Sequence, residues 1–151
     1  MAKYLGKNIP QEYADFINSN LINGIWATVD ENGYPRTAPI TFIRVKSENT
    51  LLLGIGAKTR MADNVKRDGK ISLCIVEAGD IALSIRGKAR IIKEPMDCNK
   101  YMAVVSVDIE EVKSDTSPDS KVVRGIGIEP RTERGARFIQ EVNRELDELV
   151  R

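Results

Sequence analysis

The sequence predicts a mainly β domain, a six-stranded antiparallel β-barrel that is closed or split, with flanking helices. Three observations carry this reading. Segments rich in β-branched and aliphatic residues follow one another in hairpin order, and most gaps between them are too short for the helical crossovers that parallel strands require. One gap, between the third and fourth strands, holds a short helical pattern. A final segment repeats apolar residues at three- and four-residue steps, as an amphipathic helix does.

The elements follow in order. Pro10 to Asn20 reads as a helix, with Pro at an early position and Tyr13, Phe16 and Ile17 on one face. Ile25 to Val29 is the first strand. Asn32-Gly33 then signals a hairpin turn whose residues accept positive φ. The second strand runs from Pro35 to Val45 and the third from Thr50 to Ile55. Thr59 can cap a short helix to Arg67, with Met61, Ala62 and Val65 on one face and Asp68-Gly69 ending it. Ile71 to Val76 and Ile81 to Ile92 are the fourth and fifth strands, joined at Ala78-Gly79-Asp80, and Gly87 marks a bulge in the longer one. Pro95 to Met102 is expected as a helical turn, and Val104 to Val112 as the closing strand. Ser114 to Lys121 is a polar loop, and Val122 to Ile128 fits either a strand or an extended arm. Phe138, Ile139, Val142, Leu146, Leu149 and Val150 define the C-terminal helix. Residues 1–151 are read as one domain, with a core of about 10–113 and a C-terminal extension of about 114–151.

Composition narrows the function classes. The 23 Lys and Arg residues nearly balance 22 Asp and Glu, so the basic excess of a nucleic-acid binder is missing. No stretch reaches the roughly 20 apolar residues of a membrane span, and the first residues carry no apolar leader, so a cytoplasmic protein is expected. Cys74 and Cys98 have no metal-ligand spacing and fit a reducing compartment. Histidine is absent. Its absence removes the Ser-His-Asp and Cys-His nucleophilic machines and the usual zinc sites. No metal site is expected, and no side chain stands out as an obligatory acid or base. Redox or proton chemistry would then fall to a bound cofactor.

The segment LLLGIGAKTRMADNVKRDGKISL has the chemistry of a phosphate site. A strand ends at Gly54-Ile55-Gly56, small residues let a ligand approach the backbone, and the following helix offers unpaired N–H groups and its dipole. Lys58 adds a point charge, Arg60 a planar fork and Thr59 a hydroxyl donor. A plain strand-loop-helix connection with solvated cations explains the same local pattern. Neither a P-loop nor a dinucleotide fingerprint fits the glycine spacing.

With WATVDENGYPRTAPITFI before it and ALSIRGKARII after it, this block resembles the FMN-binding split-barrel proteins related to pyridoxamine 5′-phosphate oxidase, including their small single-domain members. The resemblance implies non-covalent FMN as cofactor, with its phosphate at Lys58, Thr59 and Arg60. It also implies a ring packed against Arg36, Ala38, Pro39, Ile40 and Thr41, and a ribityl chain flanked by Gly54, Ile55 and Ala57. It implies a flavin-dependent oxidoreductase or electron-transfer flavoprotein, working as a homodimer with FMN at the interface and a small-molecule redox partner. Three departures are visible. Met61 stands where many relatives carry a second basic residue, Ala82 where the oxidases carry glutamine, and the Arg-x-His segment that grips pyridoxal phosphate is absent. Oxidation of pyridoxine phosphate is therefore not expected. A deazaflavin such as F420 on the same fold, and a cofactor-free ligand-binding module, are the alternatives. Trp26 and Tyr101 can stack on a flavin or simply fill the core.

Overall fold

The computed structural model describes residues 2–151. Its strands are β1 (Lys3–Gly6), β2 (Gly24–Val29), β3 (Pro35–Ile40), β4 (Phe42–Ser47), β5 (Thr50–Gly56), β6 (Lys70–Glu77), β7 (Ile81–Lys93) and β8 (Met102–Ser114). The helices are α1 (Gln11–Ser19), α2 (Arg60–Arg67) and α3 (Glu133–Val150). All pairings are antiparallel in the order β3-β2-β6-β7-β8-β5-β4, with β1 added to β8. The two edges of this sheet, β3 and β4, are consecutive in the chain and separated by Thr41 alone. A sheet whose opposite edges are joined by one residue must curl until they meet. This is a barrel with a split beside Thr41.

Strand number differs from the expected six for two reasons. The run from Pro35 to Val45 leaves one sheet edge and enters the other at Thr41, so it counts as two strands. Lys3–Gly6 is too short and too polar (KYLG, with Lys3 and Tyr4 exposed) to announce itself. It is a strand only because β8 offers a free edge at Val112 to Ser114. Pro95 to Met102 is no helix; it turns irregularly and is held by Met96 N–H to Met102 O at 2.9 Å. The segment Val122 to Ile128 is an extended arm outside the sheet, pinned where Asp80 and Val122 exchange hydrogen bonds and where Asn23 donates to Ile126 O.

The turns show which residue governs each one. At the β2–β3 hairpin, Asp30 Oδ1 accepts from the Asn32 and Tyr34 amides, both at 2.9 Å, and only Gly33 takes positive φ. The two-residue Asn-Gly geometry is therefore not adopted. The Asp30 carboxylate organises a three-residue loop closed by a left-handed glycine instead. These amides, with Tyr34 first, hold the Asp30 carboxyl below its usual pKa. Between β6 and β7, Gly79 and Asp80 both have positive φ, as expected of a tight hairpin. Gly87 lies at a register shift between β7 and β8, and a Cβ there would run into Asp108 O.

Two apolar clusters sit on opposite faces of the same strands. Leu51, Leu53, Ile55, Val105 and Val107 point into the barrel, whose ends receive Ile17 of α1 and Ala62 and Val65 of α2. Leu52, Met102 and Val104 point outward and are covered by Val142 and Leu146 of α3. The LLL run in β5 thus reflects a strand buried on both faces. At the edge strand β4, Asn18 substitutes for a neighbouring strand. Its side-chain amide donates to Val45 O and accepts from Val45 N, each at 2.8 Å.

Polar contacts fix α3 in place. Buried Arg44 on β4 donates from Nε to Asp147 at 2.6 Å and from Nη1 to Ile43 O at 2.9 Å. Glu145 is also buried and accepts from the Asp97 and Cys98 amides at 2.8 Å, with Lys93 Nζ at 2.8 Å. Burial pushes the Glu145 carboxyl up, but the Lys93 ammonium and the two amides outweigh it and hold the pKa at about 2, against an ordinary 4.5. Stability from such a group is complete above pH 4.5 and fades as the pH falls toward 2. Glu145→Gln is therefore expected to lose roughly 3 kcal/mol at neutral pH. It should also flatten the acid-side decline, as read from urea unfolding at a series of pH values. An unchanged acid profile would show that this carboxylate does not hold the helix.

Candidate functional site

The split beside Thr41 opens into a cleft of about 310 Å³, within the size range of small-molecule sites. Its inner wall is Trp26, Ala38, Ile40, Ile55 and Met61; its outer wall includes Phe42, Met102 and Phe138. Its floor at β5 is bare backbone. A Cβ on Gly54 would lie 3.0 Å from Phe42 Cβ, and one on Gly56 would lie 2.8 Å from Thr59 Cγ2. The glycines therefore let Phe42 and the Thr59 side chain close against β5, whose backbone itself faces the cleft.

Seven of the eleven residues expected from sequence line this cleft: Ala38, Pro39, Ile40, Thr41, Gly54, Ile55 and Thr59. Pro39 fits without cost because β3 is an edge strand, so its missing N–H removes no ladder bond on the free side. Arg36 is outside the cleft; it pairs across the hairpin with Thr28 and forms a half-exposed ion pair with Asp30 at 3.4 Å. Ala57 is buried, and its amide is already used, donating to Tyr101 O at 2.8 Å. Lys58 and Arg60 stand exposed just beyond the mouth, and among the described residues neither forms an ion pair or a side-chain hydrogen bond. The amides of Lys58 and Thr59 also donate to no protein acceptor among the described residues.

Thr59 plays a different part from the expected one. Its hydroxyl donates to Gly56 O at 3.0 Å and accepts from Ala62 N at 3.2 Å, capping α2. Its one proton is spent on Gly56 O, so this side chain caps the helix and shapes the corner. The acidic and basic residues of α2 divide as a solvated face would, with Lys66 paired to Glu94 at 3.3 Å and Arg67 near Glu31 at 3.8 Å.

Six residues lining the cleft are outside the expected set: Trp26, which the sequence leaves between stacking and core, and Phe42, Gly56, Met61, Met102 and Phe138. Trp26 is 2% exposed, so it serves as core and as cleft wall at once. Phe138 belongs to the C-terminal helix and meets Phe42 edge-to-face, with centroids 5.6 Å apart. Its period marked it as an apolar contact, yet only the packing of α3 across β4 and β5 brings it to the cleft. Tyr101 is 67% exposed and carries Lys100 Nζ 5.1 Å from its ring centroid.

Thiol chemistry has little support here. Burial, then the Glu145 carboxylate, push the Cys98 thiol up to about 11, and burial followed by Asp115 also raises Cys74. Both cysteines are free. Among the described residues no cluster of three metal-ligating side chains occurs, and no helix is long and apolar enough to cross a membrane.

The comparisons with known proteins agree with this geometry. The family model described as pyridoxamine 5′-phosphate oxidase matches residues 9–134. HupZ from Group A Streptococcus is 22% identical, covering 79% of this chain and 99% of its own, with a TM-score of 0.60. An F420 reductase is 14% identical over 65% of this chain and 94% of its own (TM-score 0.54). HutZ, the heme storage protein from Vibrio cholerae, is 14% identical over 70% and 93% (TM-score 0.53). At such identities the likeness is one of fold. No curated protein matches the sequence.

The corner depends on how α2 is seated. Asn64 is 2% exposed and donates to Thr28 Oγ1 at 2.8 Å, Thr28 donates to Met61 Sδ at 3.3 Å, and Arg67 donates to Asn64 Oδ1 at 2.8 Å. Asn64→Ala should cost about 1–3 kcal/mol in denaturant unfolding, because the Thr28 hydroxyl loses its buried donor. Adding Thr28→Val should cost less than the sum of the two single changes. Strict additivity would show that the two side chains are not coupled.

Proposed function

As this chain belongs to the pyridoxamine 5′-phosphate oxidase family, we propose that it is a flavoprotein that holds FMN non-covalently in the split beside Thr41. The observation that carries the reading is an apolar slot whose mouth ends in two unpaired cations, Lys58 and Arg60, and two free amides. The flat ring enters between Ala38 to Thr41 and the bare floor of Gly54 and Gly56. The phosphate stays at the start of α2, where backbone N–H groups and the helix dipole favour an anion. Arg36, two residue pairs beyond Ala38 and outside the cleft, would reach the ligand only at the outer rim. The bound flavin would exchange electrons with a small-molecule partner, which makes the protein an oxidoreductase or an electron carrier. The chain's own residues bind, orient and exclude water.

Heme is the less suitable occupant. The chain has no histidine, and burial raises both thiols, so imidazole and thiolate ligation are missing and only the Met61 and Met102 thioethers at the cleft are left as axial ligands.

The protein is further proposed to act as a homodimer. Directly paired residues Pro39, Ile25, Cys74 and Ser84 cross the outer face of the sheet, as do Thr37, Ala27, Ser72 and Arg86 in the next row. Most are small, and Thr37, Pro39, Ser72 and Cys74 are exposed. A two-fold related copy on this face would cover the open side of a ring too broad for one wall. Sedimentation of a monomer under conditions where FMN stays bound would remove this part of the proposal.

The anchoring test compares two ligands that differ by the phosphate alone. Lys58→Ala with Arg60→Ala should weaken FMN about 100-fold or more, since charge-assisted hydrogen bonds contribute about 1.5–3 kcal/mol each. Riboflavin should change little in the same fluorescence titration. Equal losses for both ligands would move the phosphate elsewhere. A purified protein that is colourless and takes up no FMN would overturn the reading.

A further inference from the structure

The extended arm between β8 and α3 is fastened to its own barrel by its backbone. Asp80 N–H donates to Val122 O and Val122 N–H donates to Asp80 Oδ1, both at 3.1 Å. The Asn23 side chain donates to Ile126 O at 3.0 Å. Gly125 is pressed so close to β6 that a Cβ there would lie 2.6 Å from Val76 O. The apolar side chains of the arm take no part in this. Val123, Ile126 and Ile128 are exposed, and so is Val76 beside them. A group of exposed aliphatic residues held on a fixed backbone marks a surface that meets another molecule.

A matching surface lies at the opposite end of the outer sheet face. There Ala27, Val29, Pro35, Lys70, Arg86 and Lys88 line a groove of about 360 Å³, with Glu110 at its side. Lys70 and Lys88 are directly paired in the β6–β7 ladder. Such a like-charge contact disfavours the ladder, and an approaching carboxylate would relieve it. Between Val122 and Pro130 the arm carries two charges, Arg124 and Glu129. They are opposite in sign to Glu110 and to the lysine pair.

Symmetry connects the two ends. Pairing of Val29 with Pro35, Thr28 with Ile71 and Lys70 with Lys88 puts Val29 and Lys70 side by side at one end of the face. Pairing of Gly24 with Ile75 and Val76 with Ala82 puts Asn23 and Val76 side by side at the other, where the arm is tied. Two copies packed face to face are related by an axis that lies between the sheets, along the strands or across them. An axis across the strands lays β2 on β2 and β6 on β6 with directions reversed. The arm of each copy then comes over the groove of the other, with no change in its own fold. An axis along the strands would instead bring the lysine end of one copy onto the lysine end of the other, which like charges oppose.

We propose that residues 122–130 are a clasp for a second copy of this chain. Ile126 and Ile128 seat against the partner's Val29 and the partner's Pro35, and Glu129 meets the partner's Lys70 and the partner's Lys88. This rests on the homodimer reading and is independent of which ligand occupies the cleft.

Sedimentation equilibrium of the full chain tests it. Ile126→Ser combined with Ile128→Ser should raise the dimer dissociation constant about 100-fold or more, because a few apolar anchors carry most of an interface's affinity. Both side chains are exposed in the single chain, and unfolding curves verify that the fold is kept. Glu129→Lys and Lys70→Glu should each weaken the dimer about tenfold, and the two changes in one chain should bring it back to within about threefold of wild type. A purely structural role of the arm would give no such recovery. A wild-type dimer that is indifferent to the serine changes overturns the clasp and leaves the homodimer reading standing. Weakening by each charge change without recovery in the pair overturns the assignment of the groove. A wild type that stays monomeric at every concentration ends the homodimer reading and the clasp together, and leaves the arm to a partner of another sequence.

Discussion

One covalent constraint shapes this molecule: the chain passes from one edge of its sheet to the other through a single residue, Thr41. Edge strands are exposed rows of unpaired donors and acceptors, and a barrel normally removes them by pairing first to last. Here β3 and β4 are joined end to end instead of side by side. The sheet must curl to allow this, yet it cannot seal, because the residue that joins the edges also holds them apart. The cleft is the space that remains. Its position follows from topology before any side chain is considered.

Keeping such an opening requires that the strands around it be firm. β5 and β8 provide this by being buried on both faces, with Leu51, Leu53 and Val105 inside and Leu52 and Val104 beneath α3. Apolar contact alone would let a helix slide over a smooth strand surface. The buried contacts of Arg44 to Asp147 and of Glu145 to Lys93 and two amides are directional, and they set the register of α3. Such groups are costly to bury and serve specificity more than net stability. In this chain the specificity has a local consequence, since the helix register decides that Phe138 rather than Arg137 or Ile139 closes the outer wall.

Elements determined by neighbouring residues were legible in the sequence. The Thr59 cap, the Gly79-Asp80 turn and the amphipathic period of α3 all depend on side chains within a few positions, and Gly87 announced its bulge by residue type although the partner it avoids, Asp108 O, is distant. What could not be read depends on distant partners. The bend at Thr41 carries no glycine, and Pro39 before it signals an edge strand without locating the bend, which is forced by the pairing of β3 with β2 and of β4 with β5. Lys3–Gly6 becomes a strand only against β8. The same distinction runs through the candidate site. Lys58 and Arg60 stood out as charges at a helix start, but the consumption of the Thr59 proton by Gly56 O and of the Ala57 amide by Tyr101 O required the fold. Phe138 reads from its period as core, and the structure makes it both core and cleft.

The division between slot and mouth also fixes which way a ligand can enter. The slot is lined by Trp26, Ala38, Ile40, Ile55 and Met61, which offer a charged group no partner. Burying an unpaired anion among such side chains costs far more than any contact there could return, so a phosphate cannot go in first. The mouth at Lys58 and Arg60 remains in water, where a dianion keeps much of its hydration and gains two cations and free amides. A broad aromatic ring has the opposite preference, since the slot removes apolar area from water at about 25 cal/mol per Å². A ligand with both parts is therefore oriented by solvation, ring inward and phosphate outward, before any specific hydrogen bond forms. Orientation of that kind depends on the apolar area of the ring and the charge of the tail, not on the substituents of the ring itself.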